Sequence, residues 1–141
     1  EDTLLILPFG IFTIFMPTQK KKKILIVEDE KPMARALELK LAHGGFDAVV
    51  AYDGEQGLDL LKTHSVDLIL LDLIMPKLDG FAVLTELKQK GNKTPVIILS
   101  NLSQGGDEKR ARELGALEFY IKSNTPIADI VTRVEQILKK K

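Results

Sequence analysis

The stretch "LILLDLIMPKLDG", Leu68 to Gly80, sets a single acid, Asp72, at the close of an aliphatic run. Four consecutive branched residues without polar alternation describe a strand kept dry on both faces, as in a parallel sheet covered by helices. The same texture recurs in "ILIV" (24–27), "AVVA" (48–51), "DLILLD" (67–72), "PVIILS" (95–100) and "LEFYI" (117–121). Helical spacing fills the intervals. Met33, Ala36, Leu37 and Leu41 share one face, as do Phe81, Leu84 and Leu87; Ile127, Ile130, Val131, Val134, Ile137 and Leu138 form the longest such stripe.

Turn chemistry agrees with this alternation. Pro32 suits a first helical turn, and Thr125-Pro126 reads as an N-cap followed by proline at the first helical position. Gly44-Gly45, Gly91-Asn92 and Gly115 stand where helices should stop, and Lys139-Lys140-Lys141 reads as a solvated helix C-terminus. Strand and helix alternate five times. The fold class is therefore α/β, a parallel sheet with right-handed crossovers and helices on both faces.

The chain has 141 residues, enough for one ordinary domain. Its 20 basic and 20 acidic residues cancel, so no overall field draws it to nucleic acid. Absence of cysteine excludes disulfides and thiolate metal sites, and it suits a cytoplasmic location. His43 and His64 have no partner at ligand spacing. Residues 1–22 differ in kind: Leu4 to Met16 is mostly apolar, broken by Pro8 and Gly10, and runs into Lys20 to Lys23. Glu1 and Asp2 stand where a signal peptide would carry positive charge. The apolar stretch is shorter than the ~20 residues of a spanning helix, so no transmembrane span is expected. It also lacks the charged face of an amphipathic anchor. It is set apart as an N-terminal extension, two short strands turning at Pro8-Phe9-Gly10 and packed on the domain or on a second copy. Residues 23–141 form the domain proper.

In an open parallel sheet, ligands bind beyond the carboxyl ends of the strands. The first regular strand ends in Glu28-Asp29-Glu30, the third at Asp72 and the fourth at Ser100, and the fifth delivers Lys122. The second leads only to Tyr52-Asp53-Gly54, a turn entering a helix. Each polar residue alone has a plain explanation: Asp29 as a helix N-cap, Asp72 as a turn former, Ser100 as a cap, Lys122 as a surface charge. Together they carry more, because carboxylates gathered at strand ends repel one another unless a cation joins them. Mg²⁺ takes oxygen ligands, often one or two carboxylates with waters and a phosphate oxygen. Asp29 and Asp72 fit as direct ligands, and Glu28 fits through water. A carboxylate can also accept a phosphoryl group as an acyl phosphate. Lys122 and the metal would meet the developing charge, and Ser100 would donate to a phosphoryl oxygen. Asp72, emerging between the acids and the Ser100–Lys122 side, is the acid best placed for attack.

These residues resemble the receiver domains of two-component response regulators, from Lys23 to the C-terminus, 119 of the 141 residues. The resemblance rests on "ILIVEDE", "DLILLDLIMPKLDG", "PVIILS" and "GALEFYIK". It implies a five-stranded parallel sheet in the order 2-1-3-4-5, counted among those five strands, with five surrounding helices. It implies phosphorylation of Asp72 by a histidine kinase or phosphotransfer protein. Mg²⁺ would be held by Glu28, Asp29, Asp72 and the backbone carbonyl of Ile74, with Lys122 on the phosphoryl group. Ser100 and Phe119 match the family's switch pair, which alters how the fourth helix, fifth strand and fifth helix meet a downstream effector protein. From the residues alone Phe119 is plain core, and Tyr120 competes with it for the role. Such a chain catalyses only its own phosphorylation and dephosphorylation and contacts no nucleic acid directly. That face and the N-terminal extension are the two surfaces offered for a homodimer.

Two positions depart from the family pattern. Ser123 follows Lys122 where proline is usual, often after a cis bond; a non-proline cis bond costs about 2.5–4 kcal/mol, so trans is expected here. Asn101 follows Ser100 where a small residue is general. Asn101 narrowing access, with Ile74 shielding the phosphoryl group, predicts slow self-dephosphorylation. Three rival readings are set against this one. A receiver-like interaction module would keep the fold without being phosphorylated. A phosphohydrolase of the haloacid dehalogenase kind would need a second acid two residues after Asp72, where Ile74 stands. A flavodoxin-type cofactor binder would meet repulsion from three acids at its phosphate loop.

Overall fold

Each apolar run becomes a strand and each 3.6-residue stripe a helix. A computed structural model describes residues 2–15, 20–101 and 105–139. In chain order the elements are β1 (Asp2–Leu7), β2 (Gly10–Phe15), β3 (Lys23–Val27), α1 (Lys31–His43), β4 (Asp47–Ala51), α2 (Gly54–Thr63) and β5 (Leu68–Leu71). They continue with α3 (Gly80–Gln89), β6 (Val96–Ser100), α4 (Asp107–Glu113), β7 (Glu118–Ile121), a 3₁₀ turn (Lys122–Asn124) and α5 (Ile127–Lys139). Met16 and the lysines 140 and 141, which entered the readings of the extension and of the C-terminal helix end, lie outside the described residues.

The five parallel strands run β4-β3-β5-β6-β7, the 2-1-3-4-5 order expected. Strand alternation sorts the core into two layers. Ile24, Ile26, Leu68, Leu70, Ile97 and Leu99 meet Leu37 and Leu41 of α1 and Ile130, Val131, Val134 and Leu138 of α5. Leu25, Val27, Ile69, Leu71, Val96 and Ile98 meet Phe81, Val83, Leu84 and Leu87 of α3 and Ala111 of α4, with Leu58 and Leu61 of α2 beside them. Continuous apolar runs were needed because both faces are covered.

Several helix ends follow the expected chemistry. Asp53 and Asp79 cap α2 and α3, accepting from the N–H of Gln56 and Ala82. Gly45, Gly91 and Gly115 adopt the positive φ that lets a chain leave a helix. Thr125, read as an N-cap, instead donates its hydroxyl to the Ile121 carbonyl at 2.9 Å. Its short side chain reaches back to the end of β7, tying the sheet to the start of α5.

The N-terminal extension forms the expected hairpin, a separate two-stranded antiparallel sheet turning at Pro8-Phe9. Of the two packings expected for it, on the domain or on a second copy, the first is not seen. Leu4, Ile6, Phe9 and Ile11 are each at least two-thirds exposed. A lone two-stranded hairpin is marginal in water, so these strands carry apolar surface that the domain does not cover.

Two close backbone approaches fix the loop beneath Asp72. A methyl group at Gly80 would lie 2.3 Å from the Asp72 carbonyl oxygen, and one at Gly54 would lie 2.2 Å from that of Leu78. The start of α3 therefore sits directly against the residue that follows β5. We expect Gly80→Ala to lower stability by about 1–3 kcal/mol through overpacking against backbone, read as a drop in urea midpoint at unchanged m-value.

Candidate functional site

The parallel ladder continues one residue past the assigned ends of β3 and β5. The Glu28 N–H donates to the Ala51 carbonyl at 2.9 Å, and the Asp72 N–H donates to that of Val27 at 3.0 Å. Both acids are thus delivered to one rim by backbone bonds. They are 2% and 5% exposed, and Ser100, ending β6, is fully buried. Asp29 is half-buried and Glu30 is exposed.

Lys122 leaves the end of β7 and reaches back across this rim. Its Nζ lies 2.5 Å from Glu28 Oε1, 2.9 Å from Glu30 Oε1 and 2.9 Å from Asp72 Oδ2. Backbone donors engage the other oxygens of the two buried acids. The Ile74 N–H donates to Asp72 Oδ1 at 3.2 Å, and the Glu30 N–H donates to Glu28 Oε2 at 3.0 Å. The cation that clustered carboxylates demand is, in this structure, an ammonium.

Burial pushes the Glu28 carboxyl up to about 7 from the usual 4.5, and the nearby Asp72 charge adds to the rise. Lys122 and the Glu30 N–H pull the other way without cancelling it. Burial also works against the charge of Lys122, yet its bonds to Glu28, Glu30 and Asp72 outweigh that and hold it above its ordinary value. One carboxylate oxygen each from Glu28, Asp29 and Asp72 lie within 4.8 Å of one another. Three hard oxygens at that spacing suit a divalent ion of the Mg²⁺ type.

The structure therefore brings together Glu28, Asp29, Asp72 and Lys122 as expected. Several plain roles fall away. Asp29 does not cap α1, whose N-cap position is Glu30, without a side-chain cap bond. Ser100 does not cap α4, which begins only at Asp107 after Gly106. Asp72 does form a turn, through Ile74, in addition to pairing with Lys122. The aromatic neighbours separate cleanly. Phe119 pairs with Ile98 and packs in the α3–α4 layer, on the face that Ser100 shares by strand alternation. Tyr120 packs in the α1–α5 layer and gives its hydroxyl to Glu118, which also holds Arg133.

Two features escaped the sequence reading. Glu30 was counted among the acids but not as a partner of Lys122. Asn101 was read only for its bulk, whereas its Oδ1 accepts from the Ser123 N–H at 3.1 Å. The lack of proline at 123 was the available sign, since it leaves an N–H to be satisfied. The Lys122–Ser123 bond is trans, as expected, and lies within a 3₁₀ turn.

Residues 24–135 match the model of the response regulator receiver domain. The chain is 37% identical over 121 residues to a probable transcriptional regulator, ycf27, of Porphyridium aerugineum, covering 86% of this chain and 50% of that protein. It is 36% identical over 118 residues to the response regulator ArlR of Staphylococcus aureus, covering 84% and 53%. The chain thus spans about half the length of these curated relatives. The solved receiver domain of the Francisella response regulator 1452 superposes with a TM-score of 0.80 at 32% identity, covering 85% of this chain and 98% of that one. Among the described residues, no helix is long and apolar enough to cross a membrane.

Because the Glu28 pKa is higher in the folded chain than in the unfolded one, the folded state binds more protons between pH 4.5 and about 7. Stability from this group therefore falls as pH rises through that window. In chelator-containing buffer we expect Glu28→Gln to flatten the slope there by up to one proton, about 1.4 kcal/mol per pH unit, measured by urea denaturation across the range. Parallel slopes for the two proteins would contradict this assignment.

Proposed function

The chain belongs to the receiver domains of response regulators, and from that premise we propose that it accepts a phosphoryl group on Asp72 from a phosphohistidine of a histidine kinase or phosphotransfer protein. The observation that carries this reading is the Lys122 ammonium held 2.9 Å from Asp72 Oδ2 inside a buried acidic rim. In the transfer an Asp72 oxygen bonds to phosphorus while the bond from the histidine nitrogen to phosphorus breaks. The nitrogen takes up a proton and the product is an acyl phosphate. Lys122 exchanges a carboxylate oxygen for a phosphoryl oxygen, so its charge stays paired throughout, with Glu28 and Glu30 as its standing partners.

Glu28, Asp29 and Asp72, with the carbonyl of Ile74, are the groups that would hold Mg²⁺. When bound, the ion supplies positive charge to offset that of the phosphoryl oxygens. Ser100 is assigned the hydrogen bond to a phosphoryl oxygen. Phe119 is assigned the responding ring, since it lies on the Ser100 face of the sheet and Tyr120 does not. Phosphorylation then biases the α4–β7–α5 face through contacts that differ between two states. Residues 23–141 are taken as the receiver and 1–22 as an appended hairpin. Binding of a downstream effector, self-association through that face or the hairpin, and a cytoplasmic setting belong to this same proposal. A module that is never phosphorylated is disfavoured, because it needs no ammonium aimed at Asp72.

Exposure to acetyl phosphate with Mg²⁺, followed by intact-mass spectrometry, tests the reading. Wild type should gain one phosphoryl group and Asp72→Asn none. Lys122→Ala should be modified roughly 10²-fold more slowly, the scale of losing one preorganised electrostatic partner. Modification of Asp72→Asn at the wild-type rate would place the acceptor elsewhere.

A further inference from the structure

The two departures from the family pattern are partners. Asn101 directly follows Ser100, and Ser123 directly follows Lys122. These are the two side chains assigned above to the phosphoryl oxygens. One residue outward from them, Asn101 Oδ1 accepts from the Ser123 N–H at 3.1 Å, joining positions 22 residues apart in the chain. A proline at 123 would have no N–H to give, and a small aliphatic residue at 101 would have no oxygen to receive it. Each departure supplies what the other needs.

We propose that this bond is a strap that keeps the ends of β6 and β7 together over the acyl phosphate and slows its hydrolysis, making Asn101 and Ser123 positioning residues for the lifetime of the phosphorylated state. The proposal rests on Asp72 being the acceptor. Hydrolysis requires a water oxygen to bond to phosphorus while the phosphorus bond to the Asp72 oxygen breaks. The carboxylate is regenerated, and the phosphate leaves with the oxygen and both protons of the water. Ser100 and the buried Lys122 side chain already close the inner part of the site, being 0% and 8% exposed. One route for water passes the next residues outward, Asn101 and Ser123, both exposed, and another passes the exposed Ile74. A strap between Asn101 and Ser123 resists the parting that would open the first route. Bulk at position 101 alone would not need Ser123, so the two accounts differ in what position 123 does.

The test loads each protein with acetyl phosphate and Mg²⁺, removes the donor and follows loss of the phosphoryl group by intact mass. Ser123→Ala keeps the backbone N–H and should match wild type. Ser123→Pro and Asn101→Ala should each lose the group about three- to tenfold faster, the scale of one neutral hydrogen bond. The double variant should be no faster than either single one. Asn101→Leu, which keeps bulk without the oxygen, should behave as Asn101→Ala. Independently of phosphorylation, the Ser123 amide should exchange with deuterium more slowly in wild type than in Asn101→Ala. Equal lifetimes for Ser123→Pro and Ser123→Ala, or a wild-type lifetime in Asn101→Leu, would overturn the strap and leave the acceptor intact. Failure of wild type to take up any phosphoryl group would overturn the acceptor, and the strap with it.

Discussion

The site depends on one ammonium among three carboxylates. Glu28, Glu30 and Asp72 come from the ends of two adjacent strands, and Lys122 comes from the far edge of the sheet. Taking carboxylates out of water costs several kcal/mol each unless geometry and hydrogen bonds compensate. The compensation exists only when β3, β5 and β7 are in register, because each supplies a different member of the cluster. The ion cluster is thus a product of the finished sheet rather than of any local segment. Its energetic value lies in specifying one arrangement of strand ends, and the same arrangement aims a cation at the reactive oxygen.

The scaffold beneath this cluster leaves little slack. Both faces of the sheet are covered, so every strand is held by two apolar layers and cannot slip by one residue without turning its side chains into the wrong layer. Gly80 brings the start of α3 against the backbone of Asp72, and the Ile74 N–H fixes one of its oxygens. A carboxylate clamped from below and paired from the side has few orientations left. That is the condition under which a weak nucleophile is presented in a reactive pose.

The strands were legible because a doubly covered sheet demands unbroken aliphatic runs, and "DLILLD" and "PVIILS" have no other use in a chain of this length. The acids were legible because they end those runs. What escaped was long-range. Nothing in "KSNTP" says that Ser123 will meet Asn101, since their contact depends on how two neighbouring strands finish. Glu30 looked like a solvated member of an acidic run, and only the reach of Lys122 shows that it is paired. Thr125 carried a sound local rule for capping, but its hydroxyl donates to the Ile121 carbonyl at the end of β7. The hairpin was readable as a hairpin, and of the two packings expected for it the one on the domain is not seen, because apolar composition names a need for burial without naming what satisfies it.

β7, which carries Phe119 and delivers Lys122, is one of the two border strands of the sheet and, among the strands, is bonded only to β6. Moving a central strand means breaking two ladders, whereas moving this one means breaking a single ladder of four residue pairs. A chemical change at Asp72 is therefore connected, through one lysine, to an edge of the sheet. Such an arrangement makes the periphery compliant while the nucleophile stays still, much as a lever turns on a fixed pivot.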